Sequence, residues 1–175
     1  MKMSSLVLVG TLLAAPVLAE NSSLAPELAM FKPLLSTTWQ GNLAQPGQAA
    51  KVDISQWERA LNGQAIRITH SVERGAYGGE TMLFWDKAQQ SLVYFYFTTA
   101  GFYTHGTMIY DAKNQQFVAQ EDVKNNAQGI TKVRSTTKLE MNQLTVTSEY
   151  FKDGKWLPGH HAVYVPVTNM QPEFR

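Results

Sequence analysis

The sequence predicts an all-β protein, an antiparallel up-and-down barrel of about eight to ten strands with a short N-terminal helix. Three observations carry this expectation. Roughly ten short runs rich in β-branched and aromatic residues follow one another between Thr38 and Val167. The segments between them are brief and hold turn-forming pairs such as Asn62-Gly63, Ala100-Gly101 and Asp153-Gly154. Aromatic residues make up 11% of the chain and cysteine is absent, so a fold of this composition must be held by packed strand faces rather than by disulfides.

The chain opens with Lys2, an apolar run from Leu6 to Leu13, and small residues ending at Val17-Leu18-Ala19 before Glu20. That order is the signature of a secretory leader, with cleavage expected after Ala19. The apolar run is shorter than the roughly 20 residues that span a bilayer, and Pro16 interrupts its continuation. With no cysteine to accept a lipid, the mature protein is expected to be soluble, in the periplasm or outside the cell. Residues 20–175 then suit one domain with a sizeable core and are too few for two.

Leu24, Leu28, Phe31 and Leu35 are spaced close to one helical face, which predicts one short helix over Leu24 to Leu35, bent or ended by Pro33. Beyond it, strands are expected at Thr38 to Ala44, Lys51 to Leu61, Gln64 to Tyr77, Glu80 to Trp85 and Leu92 to Thr99. Five more are expected at Tyr103 to Tyr110, Phe117 to Lys124, Ile130 to Glu140, Gln143 to Phe151 and Trp156 to Val167. The clearest alternation is Ile66, Ile68, His70 and Val72 against Arg67, Thr69 and Ser71, one face buried and the other wet. Phe84-Trp85-Asp86-Lys87 echoes Ile109-Tyr110-Asp111-Ala112 about 25 residues later, and in each the Asp is expected to cap a hairpin turn. Gly75, Gly78 and Gly79 read as a further hairpin turn rather than an anion cradle. A meander of this length leaves two open edges unless it closes on itself, and closure into a barrel removes them.

The helix, then Leu34-Leu35-Ser36-Thr37-Thr38-Trp39-Gln40-Gly41, a second strand bearing Trp57, Asn62-Gly63 and a long meander together resemble the lipocalin-like barrels of the calycin group, in their bacterial exported branch. True lipocalins place Gly before the Trp and often carry a disulfide, whereas this chain has Trp39-Gln40-Gly41 and no cysteine. The resemblance implies a barrel with an internal cavity for a small apolar ligand. Some barrels of related layout bind haem through a histidine of a late strand, and His161 is the residue here that would do so; otherwise no cofactor is expected.

Without Lys2 the chain has fourteen basic and fourteen acidic residues, which gives no footprint for nucleic acid. Of the four histidines, His70 shares a face with Ile66, Ile68 and Val72, and His161 shares one with Val163, Val165 and Val167. Both are therefore expected to point inward, with His160 outward and His105 undecided. Two inward imidazoles could serve as an acid/base pair or as ligand anchors, or each could be a core histidine bonded to a neighbour. No metal site is expected, because no histidine pair has compact ligand spacing and no thiolate is available.

Catalytic residues are not identified: there is no Gly-x-Ser-x-Gly, and Glu121 and Asp122 are adjacent on a strand and so face opposite ways. In Leu92 to Phe97, Phe95 and Phe97 fall on one face and Tyr94 and Tyr96 on the other. If the Phe face is inside, it forms an apolar wall. Trp39 is expected to plug the barrel floor rather than touch ligand.

These readings lead to a soluble binder of a small apolar or amphipathic molecule, with His70, Phe95, Phe97 and His161 as its site and no integral membrane association. The alternatives are a cavity enzyme using a histidine as acid/base and a filled barrel that binds a partner through its surface.

Overall fold

A computed structural model of the chain describes residues 23–44, 47–124 and 128–175. The expected leader lies outside the described residues. Ten strands run in chain order: β1 (Thr38–Asn42), β2 (Val52–Ala60), β3 (Ala65–Val72), β4 (Tyr77–Asp86), β5 (Ser91–Thr98), β6 (Tyr103–Asp111), β7 (Gln116–Asp122), β8 (Lys132–Glu140), β9 (Gln143–Lys152) and β10 (Lys155–Val167). Each pairs antiparallel with the next, and β10 returns to pair with β1, for example Gln40 with Val165, which closes the barrel. Closure leaves no unpaired edge.

The turns follow the local chemistry with one correction. Asp86 accepts from the backbone N–H of Ala88 and Gln89 at 2.8 and 3.1 Å, and Asp111 accepts from Lys113 and Asn114 at 3.1 and 3.2 Å, so the two echoed segments form the same capped turn. These bonds hold both carboxyls below the usual aspartate range. The expected turn at Gly78-Gly79 is instead part of β4, and the chain reverses at residues 73–76. A Cβ at Gly79 would run into the Phe97 carbonyl oxygen and the Tyr96 ring, so these glycines serve close strand packing, not the turn.

The N-terminal helix expected over Leu24 to Leu35 is a 3₁₀-helix over Pro26–Leu34. Leu28, Phe31 and Leu34 are its buried residues, spaced three apart as a helix of three residues per turn requires. It plugs one end of the barrel, where Phe31 stacks on Phe117 at 4.5 Å and lies 6.1 Å from Trp57. Trp39, Ile66 and Leu83 are fully buried or nearly so in the same cluster, so Trp39 stands in the floor. The opposite end, toward the β3–β4, β5–β6 and β9–β10 turns, is where the inward side chains become polar.

Candidate functional site

Buried Trp39 fixes which face of β1 is inside, and strand register carries that parity around the barrel. Trp39 pairs with Ser55, Ser55 with His70 and His70 with Gly79, so His70 faces the interior as the sequence indicates. Thr81 then pairs with Tyr96, Tyr96 with Thr104, and Gly106 with both Tyr94 and Glu121. The interior wall of β5 is therefore Tyr94 and Tyr96.

Phe95 and Phe97 face outward, which corrects the expected Phe wall. Phe95 lies on the outer surface against Phe97 and His105, at 6.5 and 5.7 Å, and Phe97 is half exposed. The alternation on β5 is aromatic on both faces, so hydrophobicity alone could not choose between them. What decides is the position of Gly79 and Gly106, which leave room inside for the two tyrosine rings.

His161 also faces outward. Ala162 and Tyr164 are the buried residues of β10, and Val163 and Val165 are exposed, so the valine face with which His161 was grouped is the outer one. An irregularity between Pro158 and His161 places Gly159 and His160 beside Ser148, and His160 donates its backbone N–H to Ser148 Oγ at 2.7 Å. The His160 ring meets the inward Tyr150 edge-on at 5.8 Å. Burial and the nearby Lys51 lower its pKa. His160, not His161, is thus the late-strand histidine at the barrel mouth. A haem held by His161 would stand outside the barrel, so the residues present do not fit that group.

The inward polar groups form two networks. In the first, Asp53 on β2 is buried and accepts from His70 Nδ1 at 3.0 Å and from the Tyr164 hydroxyl at 2.7 Å. Asp53 can only accept, so the Nδ1 proton is fixed and Nε2 is left to face Tyr96 at 2.7 Å, with Tyr77 a further 3.0 Å along. Burial, then the bond to Tyr77, pushes the Tyr96 hydroxyl up; burial, then Asp53, does the same for Tyr164, so both stay protonated.

In the second network, Glu121 on β7 accepts from Thr104 at 2.7 Å and Tyr94 at 3.2 Å, both at Oε2. Burial raises the Glu121 pKa, against the lowering effect of those two hydrogen bonds. Sequence reading missed Asp53, Tyr96, Tyr164 and Glu121 as partners because each pairs between different strands, which the pattern within one strand does not reveal. The one available signal was the parity of Tyr94 and Tyr96 opposite the Phe face.

Solvent reaches these groups. His70 points inward and makes two side-chain bonds, yet 21% of its side chain is accessible. Tyr77, Ser135, Ser148 and Tyr150, all inward by register, are likewise only partly buried. Ile66 and Leu83, nearer the plug, are by contrast fully buried. Outside the barrel a separate groove of about 1150 Å³ lies between Val52, Ile54 and Ser71 and the C-terminal segment from Asn169 to Arg175. That segment is tied down where Ser71 Oγ accepts from the Glu173 N–H at 2.9 Å. Among the described residues no three metal-ligating side chains converge.

The barrel is similar to the crystal structure of Rv2717c from M. tuberculosis, with a TM-score of 0.58 and 13% sequence identity over 82% of this chain and 98% of that one. At that identity, what is shared is the fold. No family model and no curated protein matches the sequence.

Proposed function

We propose that the barrel binds a small amphipathic molecule in its interior, at the end opposite the helical plug. The observation that carries this reading is the partly accessible His70 facing inward, held on both sides by Asp53 and Tyr96. A concave apolar lining with a few fixed polar groups is the usual composition of a small-molecule site. Ile68 and Val133 would contact the apolar part, and the His70–Tyr96–Tyr77 chain would meet the polar part. This agrees with the lipocalin-like reading in outline, although lipocalin barrels have eight strands and this one has ten. Outward Arg67, Glu80, Arg134 and Glu149 stand where a membrane barrel carries an apolar band, which supports a soluble protein. On the reading of residues 1–19 as a leader, the site of action is the periplasm or the exterior.

Acid/base catalysis by His70 is less well supported. Its Nε2 is engaged by Tyr96, whose hydroxyl is pushed up by burial and is a poor nucleophile.

The test is titration with Nile red, an uncharged fluorescent probe, on the wild type and on Ser135→Trp, which puts a large ring into the interior. Saturable fluorescence with one-site stoichiometry is expected for the wild type, falling at least about tenfold in affinity for the variant, since the volume the probe needs is filled. Circular dichroism confirms that the variant keeps its fold. Non-saturating fluorescence, or equal affinity in both proteins, rejects an interior site.

A further inference from the structure

Glu121 stands on the interior wall with Tyr94, Thr104 and Tyr150 around it, and its hydrogen bonds are uneven. Thr104 and Tyr94 both donate to Oε2, while Oε1 has no partner among the described residues. A carboxylate oxygen without a protein donor is open to a charge-assisted hydrogen bond from a donating ligand. The charge around it points the same way. Asp53 is the second interior carboxylate, and the cationic residues on the inward face that register identifies, Arg59, Lys152 and Lys155, stand at the two ends of the barrel rather than beside Glu121. Arg67 and Arg134, on neighbouring strands, are turned outward and paired with Glu58 and Glu149.

The surrounding rings add a third observation. Tyr94 touches Glu121, and the acidities of Tyr96 and Tyr150 also respond to its charge. Tyrosine rings near a carboxylate can add to its attraction for a cation, because the negative ring face and the carboxylate attract the same charge. A carboxylate-bearing ligand would instead add a third negative charge to a space already holding two.

We infer that the interior selects an amphipathic ligand with an ammonium head, anchored on Glu121 Oε1 and flanked by the tyrosine rings. This rests on the interior site proposed above and names the class of molecule that site takes. His70 is the interior base on the far side of Tyr96, and its own partner Asp53 already balances it when it is protonated.

Octylammonium, octanol and octanoate share one tail and differ in head group. Isothermal titration of the three into wild type and Glu121→Gln, with Nile red displacement in parallel, tests the assignment. Octylammonium is expected to bind at least about tenfold more tightly than octanoate, and Glu121→Gln should remove most of that preference while leaving octanol unchanged. Octanoate binding as tightly as octylammonium overturns the inference, as does an undiminished preference in Glu121→Gln. Should that variant fail to fold, the wild-type ranking alone decides. If Nile red binds saturably but none of the octyl compounds displaces it, the head-group assignment fails and the interior site stands. If Nile red does not bind either, the interior site fails and the assignment with it.

Discussion

Glu121 is the residue whose ionisation folding most plainly disfavours, since burial outweighs its two hydrogen bonds and the nearby His105. Its pKa is raised above the ordinary 4.5 by burial, so the folded state holds its proton to higher pH than the unfolded state does. In the interval between those two values the native state binds more protons, and stability falls as pH rises through it. Below the interval the contribution is fully present. Glutamine in place of Glu121 still accepts from Thr104 and Tyr94 but does not titrate, so wild-type stability relative to Glu121→Gln should be highest in acid and decline as pH rises from about 4 toward neutrality. Urea denaturation of both proteins across that range measures it, and the comparison cancels other titrating groups such as His160. A difference between the two that does not change with pH would contradict the raised value. Asp53 differs from Glu121 in having both oxygens supplied with donors, His70 on one and Tyr164 on the other.

Among the elements, the 3₁₀-helix places Leu28, Phe31 and Leu34 in the core. Long 3₁₀ runs are uncommon because their hydrogen bonds are poorly aligned, and this one has no side-chain cap at its start. It persists because Leu28, Phe31 and Leu34 are fully buried against the barrel floor and because the Ala25 N–H donates to the Gly63 carbonyl at 2.9 Å. Tertiary packing, not local propensity, therefore holds it. Replacing Phe31 with alanine removes the ring stacked on Phe117 and should cost about 3–5 kcal/mol, read from urea unfolding monitored by tryptophan fluorescence. A loss below about 1 kcal/mol would mean that the helix is not part of the cooperative core. The β10 irregularity is the other element with consequences, since it sets Gly159 and His160 beside Ser148 at the mouth. The expected helix and strands were legible to within a few residues because hydrophobic periodicity and turn pairs are local properties. The β3–β4 reversal was misplaced because glycine signals close packing and turns alike.

For the whole molecule, closure is the feature that matters most. β1 meets β10 through pairs such as Gly41 with Tyr164, which joins the two ends of the barrel segment. Such contacts form only after most of the chain has been ordered, so loop-closure entropy opposes them until late. Refolding is therefore expected on the millisecond-to-second scale, followed by stopped-flow fluorescence of the four tryptophans. Relaxation in microseconds would be inconsistent with closure as a late, cooperative step. The same closure gives the protein an inside, and so a place for Asp53, His70, Tyr96 and Glu121 to meet from four different strands.

By itself the sequence determined the all-β class, the succession of ten strands, the capped turns at Asp86 and Asp111, the floor position of Trp39 and the inward direction of His70. All of these follow from alternation and turn chemistry within a few residues of one another. Only the tertiary structure decided which face of a strand with two apolar faces looks inward. On β5 both faces are aromatic, and on β10 the valine face and the Ala162–Tyr164 face both resemble a core. Period-two alternation separates two faces but does not say which is inside when neither is plainly polar. Register to neighbouring strands with an unambiguous inside supplies that sign: Trp39 fixes it for Tyr164 on β10, and the series through His70 and Thr81 fixes it for Tyr96 on β5. Phe95, Phe97 and His161 consequently lie outside, and a tyrosine, histidine and carboxylate interior takes the place of the expected phenylalanine wall.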